Sequence, residues 1–145
     1  MLPTTSTRVQ ENTREEVNER IRQKTINRLN EIGTNQEKID LRLKEIEEEW
    51  DIERAIEANA SSIALVGLAL GATVNRKWFL LPTLVAGFLL QHSLQGWCPP
   101  VPVLRRLGFR TQREIDNERT ILLSRKGKIQ AGADSEKALS SIEIH

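Results

Sequence analysis

Between Ala58 and Leu104 the chain carries only two charges, Arg76 and Lys77, side by side, and no acidic residue. This block constrains the fold more than any other feature. Apolar side chains at this density must be covered by protein or lipid, and the cationic turn divides them into two helix-length runs. The first, ANASSIALVGLALGATVN (58–75), holds 18 residues without charge or proline, enough for a rod of about 27 Å, close to a bilayer core. The second, WFLLPTLVAGFLLQHSLQGW (78–97), returns with Trp78 and Trp97 at its ends, where an indole suits the membrane interface. The first run has six strongly apolar residues and the second nine. A hairpin lets each shield the polar atoms of the other. Gly67 and Gly71 form a G-x-x-x-G spacing and Thr83 with Gly87 a small-x-x-x-small one, the pattern that lets helix backbones approach in lipid. Pro82 falls in the first turn of the second helix, where its missing N–H does little harm.

The flanks are highly charged. With 21 Lys and Arg against 20 Asp and Glu, the net charge is +1, which excludes nucleic-acid binding through a broad basic face. A mean hydropathy of −0.41 averages over blocks of opposite character. One cysteine allows no internal disulfide, and His92 and His145 are the only histidines, so no metal or cofactor site is expected. LPTTSTRVQENTREE lacks the features of a signal peptide, which leaves an internal segment to enter any membrane. Residues 1–12 read as a frayed arm. A helix is expected from about Thr13 through Val17, Ile21, Leu29 and Ile32 to a stop at Gly33, followed by a Thr34 to Glu37 capping box. In the next helix Ile39, Leu43, Ile46 and Trp50 recur at intervals of 4, 3 and 4, a coiled-coil-like seam, with Asp40 placed to pair with Lys44. The seam fits an antiparallel hairpin or contact between copies, a homodimer being favoured.

Beyond the apolar block, GWCPPVPVLRRLGF leaves two readings of Cys98 open. It is a candidate reactive thiol, activated by Arg105 and Arg106, or a small apolar residue packing a bend whose prolines remove backbone donors. His92, with Gln91 and Gln95, either marks a polar site in the span or is hydrated or bonded to Asn59 and Ser62. Trp78, Trp97, Arg105 and Arg106 are the expected interface anchors, with Leu104, Leu107 and Phe109 dipping into the lipid surface. Thr111 and Glu114 form another capping box, opening a short surface-bound helix through Ile115, Leu122 and Leu123. The expected fold is all-α. A cytoplasmic helical region spans 1–57 and a two-span transmembrane hairpin 58–104; an interfacial helix spans 105–125, and a disordered tail 126–145. Seven cations flank the outer ends (Arg42, Lys44, Arg54, Arg105, Arg106, Arg110, Arg113) against two in the turn, so both termini are expected in the cytoplasm.

RKW, LPTLVAGFLLQHSLQGWCPPVPVLRRLGF and the Thr111 to Glu118 segment resemble the YgaP-like transmembrane domain family over about residues 50–123. The resemblance implies a bacterial inner-membrane hairpin, commonly a homodimer, of unknown activity. Some relatives carry a rhodanese domain ahead of the hairpin. The N-terminal half here has neither strand pattern nor cysteine, so that activity does not carry over. The functional expectation is a non-enzymatic, homo-oligomeric scaffold or interaction module in the inner membrane. The alternatives are a sulfur or redox relay through Cys98 serving a separate rhodanese-like partner, and a soluble bundle with residues 58–97 as its core.

Overall fold

A computed structural model describes residues 6–131. Every element among them is helical: α1 (Arg8–Glu11), α2 (Glu15–Ile32), α3 (Gln36–Glu48), α4 (Ile52–Thr73), a 3-10 turn (Arg76–Phe79), α5 (Leu80–Gln95), α6 (Val101–Leu107) and α7 (Gln112–Ala131). The chain divides into two compact units that do not follow the linear order expected from composition. One comprises the described residues up to Glu19 with Trp50–Gln112, the other Arg20–Glu49 with the described residues from Arg113 onward.

In the second unit α2 ends where Gly33 adopts φ +57° and its N–H bonds to the carbonyl of Leu29 at 3.0 Å. Arg125 closes that helix end by donating to the carbonyls of Leu29 (2.6 Å) and Gly33 (3.2 Å), satisfying acceptors that the last turn leaves open. The cap of α3 is Asn35 rather than Thr34: its side chain accepts from the N–H of Lys38 at 3.0 Å. Ile39 and Ile46 are buried with Leu29, Ile32, Ile115 and Leu122, and Leu43 packs alongside. The seam is therefore used within the chain. Trp50 leaves it because Glu49 turns extended and ends α3; its ring lies under the Arg54 guanidinium at 4.4 Å. Asp40 pairs with Lys126 at 2.7 Å, not with the expected Lys44.

The expected surface helix is thus a core element. α7 is 20 residues long and puts Ile115 and Leu122 inside the bundle. Helix also extends past Lys126 to Ala131, where disorder was expected; the rest of that tail, His145 included, lies outside the described residues. Glu118, fully buried, accepts from Arg42 Nε at 2.9 Å and Nη2 at 3.2 Å. Arg42 also reaches Glu45 and Glu49. Burial opposes its charge, yet the hydrogen bonds to Glu118 and Glu45 prevail and hold its pKa above the ordinary value.

In the first unit α4 and α5 run antiparallel. Asp51 caps α4 by accepting from the N–H of Arg54 at 2.9 Å, and Asn75 caps the 3-10 turn by accepting from Lys77 at 2.9 Å. Gly67 lies against Pro82 and Leu81, and Gly71 against the Phe79 ring. A methyl group on either would stand 2.7 Å from Pro82 Cδ or 2.8 Å from Phe79 Cδ1. The G-x-x-x-G pair is therefore occupied inside the hairpin, whereas Gly87 faces open space. Among the described helices, one stretch, Gln36–Thr73, contains a run long and apolar enough to cross a membrane, and 22% of that run is buried. Its uncharged part belongs to α4. The expected second span is not one continuous helix: the chain returns through the 3-10 turn before the 16-residue α5 begins.

Alanine normally stabilises a helix over glycine by about 0.5–1 kcal/mol. In the monomer, Gly87→Ala is expected to show that gain in thermal unfolding followed by circular dichroism. Gly67→Ala should reverse its sign, because the proline ring it meets cannot swing away. In the bundle, Arg42→Met should lose about 3 kcal/mol or more by taking from the buried Glu118 carboxylate the guanidinium that bonds both of its oxygens. Combining it with Glu118→Leu should restore most of the loss; equal instability of single and double variants would show that the pair is not the cause.

Candidate functional site

The polar groups of the first unit gather at the base of the hairpin, where α1, α4, α5 and α6 meet. His92 sits in the last turn of α5 and is 4% exposed. Its Nε2 lies 2.6 Å from Glu53 Oε2, while the other Glu53 oxygen accepts from Arg8 Nη2 at 3.0 Å. His92 Nδ1 is buried without a hydrogen-bond partner among the described residues. This arrangement fits the tautomer in which Nε2 carries the proton and donates it to the carboxylate, since an unpartnered lone pair is easier to bury than an unpartnered N–H. The His92 hydrogen bond, aided by Arg8 and opposed by burial, holds the Glu53 carboxyl below its ordinary pKa.

Backbone geometry explains why the N-terminal arm docks here instead of fraying. Gly96 ends α5 with φ +76°, and a Cβ on it would stand 2.6 Å from the Arg8 backbone. Only glycine admits Arg8 at this distance. Asn12 Nδ2 donates to the Gln95 carbonyl at 2.7 Å, satisfying an acceptor at the end of α5. Val9 enters an apolar cluster with Ile52, Ala55, Ile56, Cys98, Val101 and Leu104. The start of α4 joins the same assembly through the Ile52 N–H, which donates to the Arg110 carbonyl at 2.8 Å.

The candidate residues fall in different environments. Cys98 is buried in the apolar cluster, and burial raises its pKa. A reactive thiol requires the opposite shift. Arg105, expected at the lipid surface, is 0% exposed: its Nη1 donates to the Phe109 carbonyl at 3.1 Å and its Nη2 to Asn18 Oδ1 at 2.8 Å. Leu104 is buried beside it and Phe109 packs on the same cluster, so neither dips outward. Arg106 is exposed, Trp78 is exposed on the 3-10 turn, and Trp97 is half-buried. Asn59 and Ser62 bond to carbonyls of their own helix rather than to His92. Among the described residues no group of three or more His, Cys, Asp and Glu is placed to hold a metal.

The pair Glu53 and His92 was missed in the sequence. A lone histidine inside an uncharged helix needs a polar partner, and the hairpin restricts the nearest carboxylates to Asp51, Glu53 and Glu57 at the foot of α4. No protein-family model, curated protein or solved structure matches this chain.

The depressed Glu53 pKa has a signed consequence. The stability it contributes is present above the unfolded value of 4.5 and is lost as pH falls through the lower folded value. Glu53→Gln is therefore expected to lower the melting temperature at neutral pH and to flatten its decline across the carboxylate range. Parallel pH profiles of variant and parent would remove this role from Glu53.

Proposed function

We propose that this protein is a membrane-embedded helical hairpin that serves as a homo-oligomeric scaffold, with the uncharged part of α4 from Ala58 onward and the limb from Arg76 to Gln95 in a bacterial inner membrane, and with the foot of α4, Glu53 included, outside the hydrocarbon core. The charged bundle of α2, α3 and α7 remains in the cytoplasm as an interaction module. The observation that carries this reading is the outward direction of the apolar side chains. Leu65 and Leu80 are each 66% exposed, and Val66, Leu84, Phe88 and Leu90 are exposed with them. A continuous surface of this kind is covered by lipid or by another chain. In a soluble bundle with residues 58–97 as its core, the same side chains would point inward.

Length supports the second crossing. α5 alone reaches about 24 Å and the four-residue 3-10 turn adds about 8 Å, together close to a bilayer core of about 30 Å. The cation asymmetry supports cytoplasmic termini. Self-assembly draws support from Thr83 and Gly87: Gly67 and Gly71 are occupied within the hairpin, and Gly87 stands open for a second backbone. Membership of the YgaP-like transmembrane family belongs to the same proposal and rests on residues 96–99, 107–108 and 111–118.

Single cysteines in a Cys98→Ser background test this reading. With a membrane-impermeant maleimide, Lys77→Cys is expected to react in intact bacterial cells and Glu37→Cys only after the cells are opened, both from a carbonate-resistant pellet. Gly87→Cys should form a disulfide dimer under mild oxidation. Carbonate extraction, or labelling of Lys77→Cys only in opened cells, would overturn the spanning hairpin. Failure of Gly87→Cys to crosslink would remove this assembly seam alone.

A further inference from the structure

We infer that α6 is a third membrane contact, lying in the headgroup layer with Val103 and Leu107 against the lipid; this rests on the spanning hairpin proposed above. The face differs from the one that sequence spacing selects. Val101, Leu104 and Arg105 turn inward, and the opposite edge exposes Val103 (57%) and Leu107 (71%). These residues stand four apart, one above the other on a single face. Exposed Arg106 shares that side of the helix.

The level of α6 on α4 identifies what covers this edge. The buried residues of α6 share a cluster with Ile52, Ala55 and Ile56, which precede Ala58, the first residue of the uncharged run, by two to six positions. At 1.5 Å per residue that is roughly 3–9 Å along α4. The headgroup layer on each side of the hydrocarbon core is roughly 5–8 Å thick, so α6 falls within it. Apolar residues with a neighbouring cation are the composition that this layer accepts. Gly108 supports the placement by ending α6 at φ +101°. The chain turns there so that Phe109 returns to the protein cluster while Leu107 stays outside. Because Val101 and Leu104 fix the helix to α4, its outer edge is held at this depth by packing, and a seven-residue helix need not bind lipid by itself.

Environment-sensitive fluorophores on single cysteines in the Cys98→Ser background test the inference in full-length protein reconstituted into phospholipid bilayers. Val103→Cys and Leu107→Cys probe α6, Leu84→Cys the hairpin, and Glu37→Cys the aqueous phase. The expected result is blue-shifted emission at Val103 and Leu107 relative to Glu37, with most of it lost to lipids brominated near the glycerol end of the acyl chain. Leu84 should instead be quenched by lipids brominated deeper in the chain. Quenching of both α6 probes by aqueous iodide as strongly as at Glu37, with Leu84 still quenched by deep bromines, would overturn the inference and leave the hairpin standing. Quenching of the α6 probes chiefly by deep bromines would also overturn the headgroup placement. Iodide access at Leu84 equal to that at Glu37 would overturn the spanning hairpin and this inference together.

Discussion

The close approach of α4 to α5 at Gly67 and Gly71 governs the first unit. With no side chain on either glycine, Pro82, Leu81 and Phe79 fill the space beside them, and many of the larger residues of both helices, among them Leu65, Val66, Leu84 and Leu90, are exposed. The hairpin therefore has almost no interior of its own. Gly67 and Gly71 are its only buried residues between Ile56 and His92. Such a pair is poorly suited to water, where burial of apolar side chains provides most of the driving force. It suits lipid, where close van der Waals packing between backbones takes over that role.

The base of the hairpin works differently. There Ile52, Ile56, Val101 and Val9 form an ordinary apolar cluster, bordered by Arg8, Glu53 and His92 in one hydrogen-bonded series. Glu53 links the series by offering one carboxylate oxygen to Arg8 and the other to His92. The arm from Thr7 to Asn12 supplies Arg8, Val9 and Asn12 to this base, so a segment that is polar in composition becomes structural through three particular side chains.

Helix content, the cationic turn, the Gly33 stop and the division between apolar hairpin and charged flanks were legible in the sequence, because each depends on local propensity or on long runs of one character. The errors came where a residue's role depends on distant chain. Trp50 continues the spacing of Ile39 and Ile46 but lies past the end of α3. Arg105 and Arg106 are neighbours in sequence, yet one is fully buried and the other exposed, a difference set by which side of α6 meets α4. Glu53 and His92 are 39 residues apart. No local pattern joins them; only the fold of the hairpin does.

The division into units has a bearing on synthesis. α2 and α3 leave the ribosome well before α7, with the whole of Trp50–Gln112 between them. Until α7 arrives, Ile39 and Ile46 lack Ile115 and Leu122, and Arg42 lacks Glu118. Translation supplies about 5–20 residues per second, so α2 and α3 wait for seconds as an incomplete bundle while the apolar hairpin emerges. The order of events is built into the chain: the hairpin is complete before the second unit can close.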